Sequence, residues 1–245
     1  MFKSVINAGV ISSAIDTVDV LVDECKVRLE EDGITIKAVD PANVGMVDLS
    51  IPEDSFESYE GDGQVIGLNV TRFKDIIGMA NKGDSVELEL DDETHKLKIR
   101  INGLRYTLSL IDADAVRQEP NVPDLDLSCE VKIAGNEIKR GVKAAGMVSD
   151  HMEFGVEGGD FFMHAEGDTD DVRVDLPEDE IIGIEGEEAR SLFSLDYLDD
   201  MSKAIPNDAE VRMEIGVDYP VKMHFDIADG EGHVTYLLAP RIENE

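Results

Sequence analysis

The sequence predicts an α+β protein of two similar β-rich domains, with antiparallel sheets and four helices. Three observations carry that prediction. Many short segments alternate polar and apolar residues; only four segments show helical periodicity, each preceded by a strand pattern; and the second half repeats the landmarks of the first.

The first helical pattern covers about 10–23. Alternating strands follow at Lys26 to Glu30 and Ile34 to Ala38, separated by the turn signal Glu31-Asp32-Gly33. The second helix is expected over 72–81, with Thr71 as its N-cap ahead of Phe73, Ile76 and Ile77. Strands at Val86 to Leu90, Leu97 to Ile101 and Arg105 to Leu110 come next, the last two joined by Asn102-Gly103 as in a tight hairpin. Two more helices are expected over 136–149 and 196–205, the latter capped by Asp196 before Tyr197, Leu198 and Met201.

A shift of 126 residues lays Val5, Ala8 and Gly9 on Val131, Ala134 and Gly135. A shift of 125 lays Thr71, Phe73 and Ile76 on Asp196, Leu198 and Met201, and Val86, Leu88 and Leu90 on Val211, Met213 and Ile215. Strand, helix and strand keep their order, which points to an internal duplication. Between the copies, Arg117 to Asp124 holds two prolines and no periodicity, so it reads as an exposed connector. The expected boundaries are 1–116 and 128–245 for the domains and 117–127 for the connecting loop.

Acidic residues number 55 against 22 basic ones, a formal net charge of −33. Such a chain repels itself in dilute buffer, whereas molar salt shortens the screening length to about 3 Å. The excess therefore reads as adaptation to a salty cytoplasm, and the regular apolar patterns argue against disorder. No basic leader and no apolar run of membrane-spanning length is present, so a soluble intracellular protein is expected. Cys25 and Cys129 have neither CxxC nor Cys/His spacing and read as buried thiols.

Catalysis finds no home in the sequence. The densest carboxylate cluster, Asp168, Asp170 and Asp171, would serve a metal-dependent hydrolase, but it lies in Gly167-Asp168-Thr169-Asp170-Asp171, which reads as a turn without calcium-loop spacing. The histidines at 95, 151, 164, 224 and 233 show no zinc spacing, and no phosphate cradle or nucleophile elbow occurs. No catalytic residue, metal or cofactor is expected.

The tail Leu238-Ala239-Pro240-Arg241-Ile242-Glu243 resembles the C-terminal motif of the proliferating cell nuclear antigen family of DNA sliding clamps. The opening Met1-Phe2 with Gly9, the segment Val39-Asp40-Pro41-Ala42-Asn43-Val44, the segment Asp226-Ile227-Ala228-Asp229-Gly230 and the proline-containing connector resemble that family in the same order. The resemblance spans the chain and suggests an archaeal, halophile-type member. It implies a ring of three identical chains whose helices line a central channel around duplex DNA. Such a clamp would tether DNA polymerase, flap nuclease and ligase through short peptide motifs and be opened by a clamp loader. The alternative is a checkpoint-type clamp subunit of a mixed ring, against which the intact C-terminal motif argues.

The resemblance also implies site residues. Arg140, Lys143 and Lys203 match inward-facing basic positions, and Arg72, Lys74, Lys82 and Lys139 join them as DNA-facing candidates from their places on the helices. The first helix departs from the family, carrying Asp16, Asp19 and Asp23 and no basic residue. The partner-peptide pocket would use Val39, Val44, Val122, Pro123 and Pro220, together with Leu237, Ala239, Pro240 and Ile242. Pro120 replaces a large aliphatic of many relatives. The subunit interface would pair Arg105, Tyr106, Thr107, Leu108, Ser109 and Leu110 of one chain with Val172, Arg173 and Val174 of the next.

Overall fold

The computed structural model describes residues 1–121, 125 and 127–241. Its chain forms two compact units: 1–121 joined by the hairpin tip 226–234, and the rest of the described residues.

In the first unit the order is β1 (Lys3–Asn7), α1 (Ala8–Asp19), β2 (Glu24–Glu30), β3 (Gly33–Val39), β4 (Gly45–Pro52), β5 (Phe56–Glu60), β6 (Gln64–Asn69), α2 (Val70–Ile77), β7 (Ser85–Asp91), β8 (Lys96–Ile101) and β9 (Leu104–Ser109). The strands run antiparallel in the orders β5-β1-β7-β8-β9 and β4-β3-β2-β6. Alternation puts one face of each strand inside: Val86, Leu88 and Leu90 of β7 are buried while Glu87 is exposed. Inward side chains of both sheets, such as Leu29, Ile51 and Leu88, meet Ile11, Ile15 and Phe73 of the helices in one core.

The second unit repeats the plan: β10 (Cys129–Ala134), α3 (Gly135–Ala145), β11 (His151–Glu157), β12 (Asp160–Glu166), β13 (Asp171–Leu176), β14 (Gly183–Gly186), β15 (Ala189–Ser194), α4 (Leu195–Ala204), β16 (Glu210–Ile215), β17 (Val221–Ile227) and β18 (Gly232–Leu238). Its strand orders are β14-β10-β16-β17-β18 and β13-β12-β11-β15. The landmarks of the duplication fall on equivalent elements, β1 with β10, α2 with α4 and β7 with β16, except that Ala8 opens α1 while its counterpart Ala134 ends β10. The four helices and their preceding strands stand as the sequence predicts.

Helix ends differ from the prediction. The first helix stops at Asp19, because the N–H groups of Leu21 and Val22 both donate to the Val18 carbonyl and close the chain into a turn. A periodic apolar run looks the same whether its last residues continue the helix or tuck under it. Gly78 and Gly146 end α2 and α3 at Ile77 and Ala145. The caps also move. Asn69, the last residue of β6, caps α2 by accepting from Arg72 N at 2.9 Å, so Thr71 lies inside the first turn. Ser194 holds the cap position of α4, without a side-chain bond, and Asp196 sits in the first turn, where its charge suits the helix dipole. Each strand runs directly into its helix, so the cap is a strand residue and periodicity hides it.

Candidate functional site

The seven cations on or beside the helices have different surroundings. Arg72 is exposed on α2 and donates weakly to Tyr106 Oη at 3.4 Å; Lys82, in the loop beyond, and Lys143 on α3 are exposed. Lys139 donates to Asn207 Oδ1 at 2.9 Å, and partial burial lowers its pKa. Arg140 pairs with Glu137 at 2.7 Å. Lys203 bridges Asp199 and Asp200 of its own helix, both at 2.8 Å, and these carboxylates raise its pKa. Lys74 Nζ lies 2.7 Å from Asp19 Oδ2 and 2.9 Å from Asp16 Oδ1, so α1 meets α2 through a shared ion cluster.

The strands expected to join subunits are sheet edges. β9 closes its sheet beyond β8, and β13 closes its sheet beyond β12. Arg105, Thr107 and Ser109 are exposed, Tyr106 is half-buried and Leu108 is buried. Leu110 lies one residue past the end of β9, where its N–H donates to the His95 carbonyl. On β13, Val172 and Val174 are half-buried. Arg173 is exposed, with its guanidinium 3.9 Å from the centroid of the Phe162 ring and 2.7 Å from Asp175.

The apolar docking candidates fall in both units. In the first, Val39 and Val44 are half-buried and flank a turn built on Asp40, which is 4% exposed. Asp40 Oδ1 accepts from Val44 N at 2.7 Å and Gly45 N at 2.8 Å, and Oδ2 accepts from Ala42 N at 2.8 Å. In the second, Arg241 N donates to the Leu192 carbonyl at 2.7 Å, which lays the chain after Pro240 along β15. Ser191 on the same strand donates to the Gly216 carbonyl and accepts from Tyr219 N, both at 3.0 Å, and so fixes the loop that carries Pro220. Ala239, Pro240 and Pro220 are half-buried, whereas Leu237 is buried and belongs to the core as much as to any surface. Val122, Pro123 and Ile242 lie outside the described residues.

Two features escaped sequence reasoning. Val217 and Tyr219 are exposed apolar side chains beside Pro220, unmarked by any periodicity. The start of the connector is fastened to the first unit: Arg28 grips Glu119 through two bonds of 2.8 and 2.7 Å, and Arg117 donates to the Asp40 carbonyl and to Asn43 Oδ1. These partners stand 74 to 91 residues apart, and nothing local announces them.

Asp168 and Asp170 sit in the turn between β12 and β13, closed by Gly167 N donating to the Asp170 carbonyl, and Asp171 begins β13. Among the described residues no three His, Cys, Asp or Glu side chains converge as metal ligands. Cys25 and Cys129 are buried, and desolvation pushes their thiols up to about 12 and about 11.

Comparison with known proteins matches both halves. The family "Proliferating cell nuclear antigen, N-terminal domain" matches residues 1–115, and "Proliferating cell nuclear antigen, C-terminal domain" matches 121–241. Proteins named DNA polymerase sliding clamp are 60% identical in Natronomonas pharaonis and 56% identical in Halobacterium salinarum, each covering all of both chains. Among solved structures, one described as the C-terminal region of FEN-1 bound to A. fulgidus PCNA superposes with TM-score 0.95 at 36% identity, covering all of both chains. PCNA from Thermococcus kodakaraensis gives 0.91 at 28% identity, covering 98% of this chain and all of that one.

Proposed function

The chain belongs to the proliferating cell nuclear antigen family, and from that premise we propose that three copies close head to tail into a ring that encircles duplex DNA. It is a DNA polymerase sliding clamp, as its relatives are named. The observation that carries the reading is the duplicated fold, ending in the edge strands β9 and β13, in a chain aligned along its full length with those clamps.

The ring works without chemistry of its own. A polymerase that lets go of the primer end stays tethered, so its effective concentration remains high and rebinding is fast. We assign residues 1–116 and 128–245 to the two clamp domains and 117–127 to the connector. The cationic positions on the helices face DNA, and those that reach it meet phosphates without reading bases. Partner enzymes, the clamp loader among them, dock short peptides on the apolar positions at the connector and C-terminal tail, where a peptide backbone adds to the extended tail. The protein acts inside the cell, at DNA; among the described residues no helix is long and apolar enough to cross a membrane.

Primer extension on a circular template tests the reading. With polymerase and loader in molar potassium chloride, adding the protein is expected to lengthen products many-fold. Changing Pro240→Asp is expected to remove that gain while leaving the oligomer intact. Products unchanged by the wild-type protein would sink the clamp assignment.

A further inference from the structure

This inference rests on the reading of the helices as the DNA-facing surface and asks which of their cations can reach a phosphate. Lys74 is already occupied. Asp16 and Asp19, one turn apart on α1, place a carboxylate oxygen on either side of its ammonium at 2.9 and 2.7 Å. Their hydrogen bonds, Asp19 first, raise the pKa of Lys74 and keep it charged and paired. Arg72, on α2, and Lys82, in the loop beyond it, are exposed and form no ion pair among the described residues. Neither Asp16 nor Asp19 caps α1, whose cap is Asn7, and each remains partly exposed beside Lys74.

We propose that Asp16 and Asp19 are an intramolecular counter-anion that withholds Lys74 from DNA, so that the first unit meets the phosphates chiefly through Arg72 and Lys82. A phosphate approaching Lys74 must displace two carboxylates at hydrogen-bond distance and endure their charge. While Lys74 stays paired it neutralises no phosphate, and so it frees none of the cations condensed on the duplex. Asp16 and Asp19 act through Lys74 and are positioning residues. The consequence is a shallow dependence of DNA binding on salt and a surface that holds the duplex loosely while the closed ring prevents escape.

The test measures binding of the full-length protein to a short fluorescent duplex across a potassium chloride series, with trimer mass checked in parallel. Asp16→Asn with Asp19→Asn is expected to tighten binding and to steepen the log–log salt slope by about 0.9 for each additional phosphate neutralised, so that the affinity lost over a fourfold rise in salt grows about 3.5-fold. Adding Lys74→Gln is expected to abolish the gain. Glu178→Gln with Asp179→Asn, which removes the same charge from an exposed turn of the second unit, is expected to leave the slope unchanged. A gain that survives Lys74→Gln, or that the remote pair reproduces, would overturn the proposal in favour of a general charge effect. If the Asp16/Asp19 variant binds like wild type while Lys143→Glu weakens binding, the counter-anion role fails and the DNA-facing reading stands. If Lys143→Glu also changes nothing, both fail.

Discussion

At the scale of single residues, Asp40 carries more structure than its size suggests. Its carboxylate accepts from three backbone N–H groups of the turn between β3 and β4, where Asn43 holds a left-handed φ of 60°. Replacing it with Ala leaves those donors without their acceptor, so Asp40→Ala is expected to cost about 2–3 kcal/mol in urea unfolding at high salt. His224 supplies a pH signature. Its ring is half-buried between Thr235 Oγ1 and Glu214 Oε1; desolvation first, then Arg212, lowers its pKa below the ordinary 6.5, against the opposing pull of Glu214. The unfolded chain therefore binds a proton that the fold resists. Stability from this group is complete above pH 6.5 and is lost as pH falls through 6.5 towards the lower folded value. Urea unfolding of His224→Gln is expected to show a smaller loss over that interval than wild type; identical pH profiles would remove His224 as the cause.

At the scale of elements, the hairpin β8–β9 determines which backbone groups the sheet edge offers. Asn102 and Gly103 form a two-residue loop with φ of 45° and 85°, the left-handed pair that a tight hairpin needs. Ile101 and Leu104 close that loop, so the pairs Ile99–Tyr106 and Leu97–Leu108 also exchange backbone bonds. By the same alternation Arg105, Thr107 and Ser109 turn their N–H and C=O groups away from β8, towards the proposed neighbour. Thr107→Pro removes an outward donor that the chain itself does not use. It is expected to lower the mass in sedimentation equilibrium from three chains to one while the circular dichroism of the folded chain persists. A stable trimer of the variant would move the interface away from β9.

At the scale of the whole molecule, a net charge of −33 sets the conditions under which the fold holds. Many cations are already spent inside the chain: Arg212 on Glu130 and Glu214, Lys98 on Glu89 and Asp91, Arg190 on Glu153. The remaining excess of carboxylates repels itself, and it does so at long range in dilute buffer. Both the unfolding midpoint and the trimer mass are expected to rise with potassium chloride, with dissociation as salt is withdrawn. A mass of one chain at every salt concentration would exclude the closed homotrimer.

Sequence alone determined what repeats at short range. Alternation in β2, β3, β7, β8 and β9, the turn chemistry of Asn102-Gly103, four helical stripes and their duplication were legible because each depends on neighbours within a few residues or on a pattern written twice. The tail motif made the family legible as well. Only the tertiary structure decided which residue caps α2, that α1 ends at Asp19, that Arg28 holds Glu119, and that Asp16 and Asp19 claim Lys74. Helix stripes place a cation on an exposed face, but its partner comes from another element whose approach is set by sheet register and core packing. The same lysine thus reads in the sequence as a phosphate ligand and in the fold as one half of an ion cluster, because charge pairing depends on distance in space and periodicity records only distance along the chain.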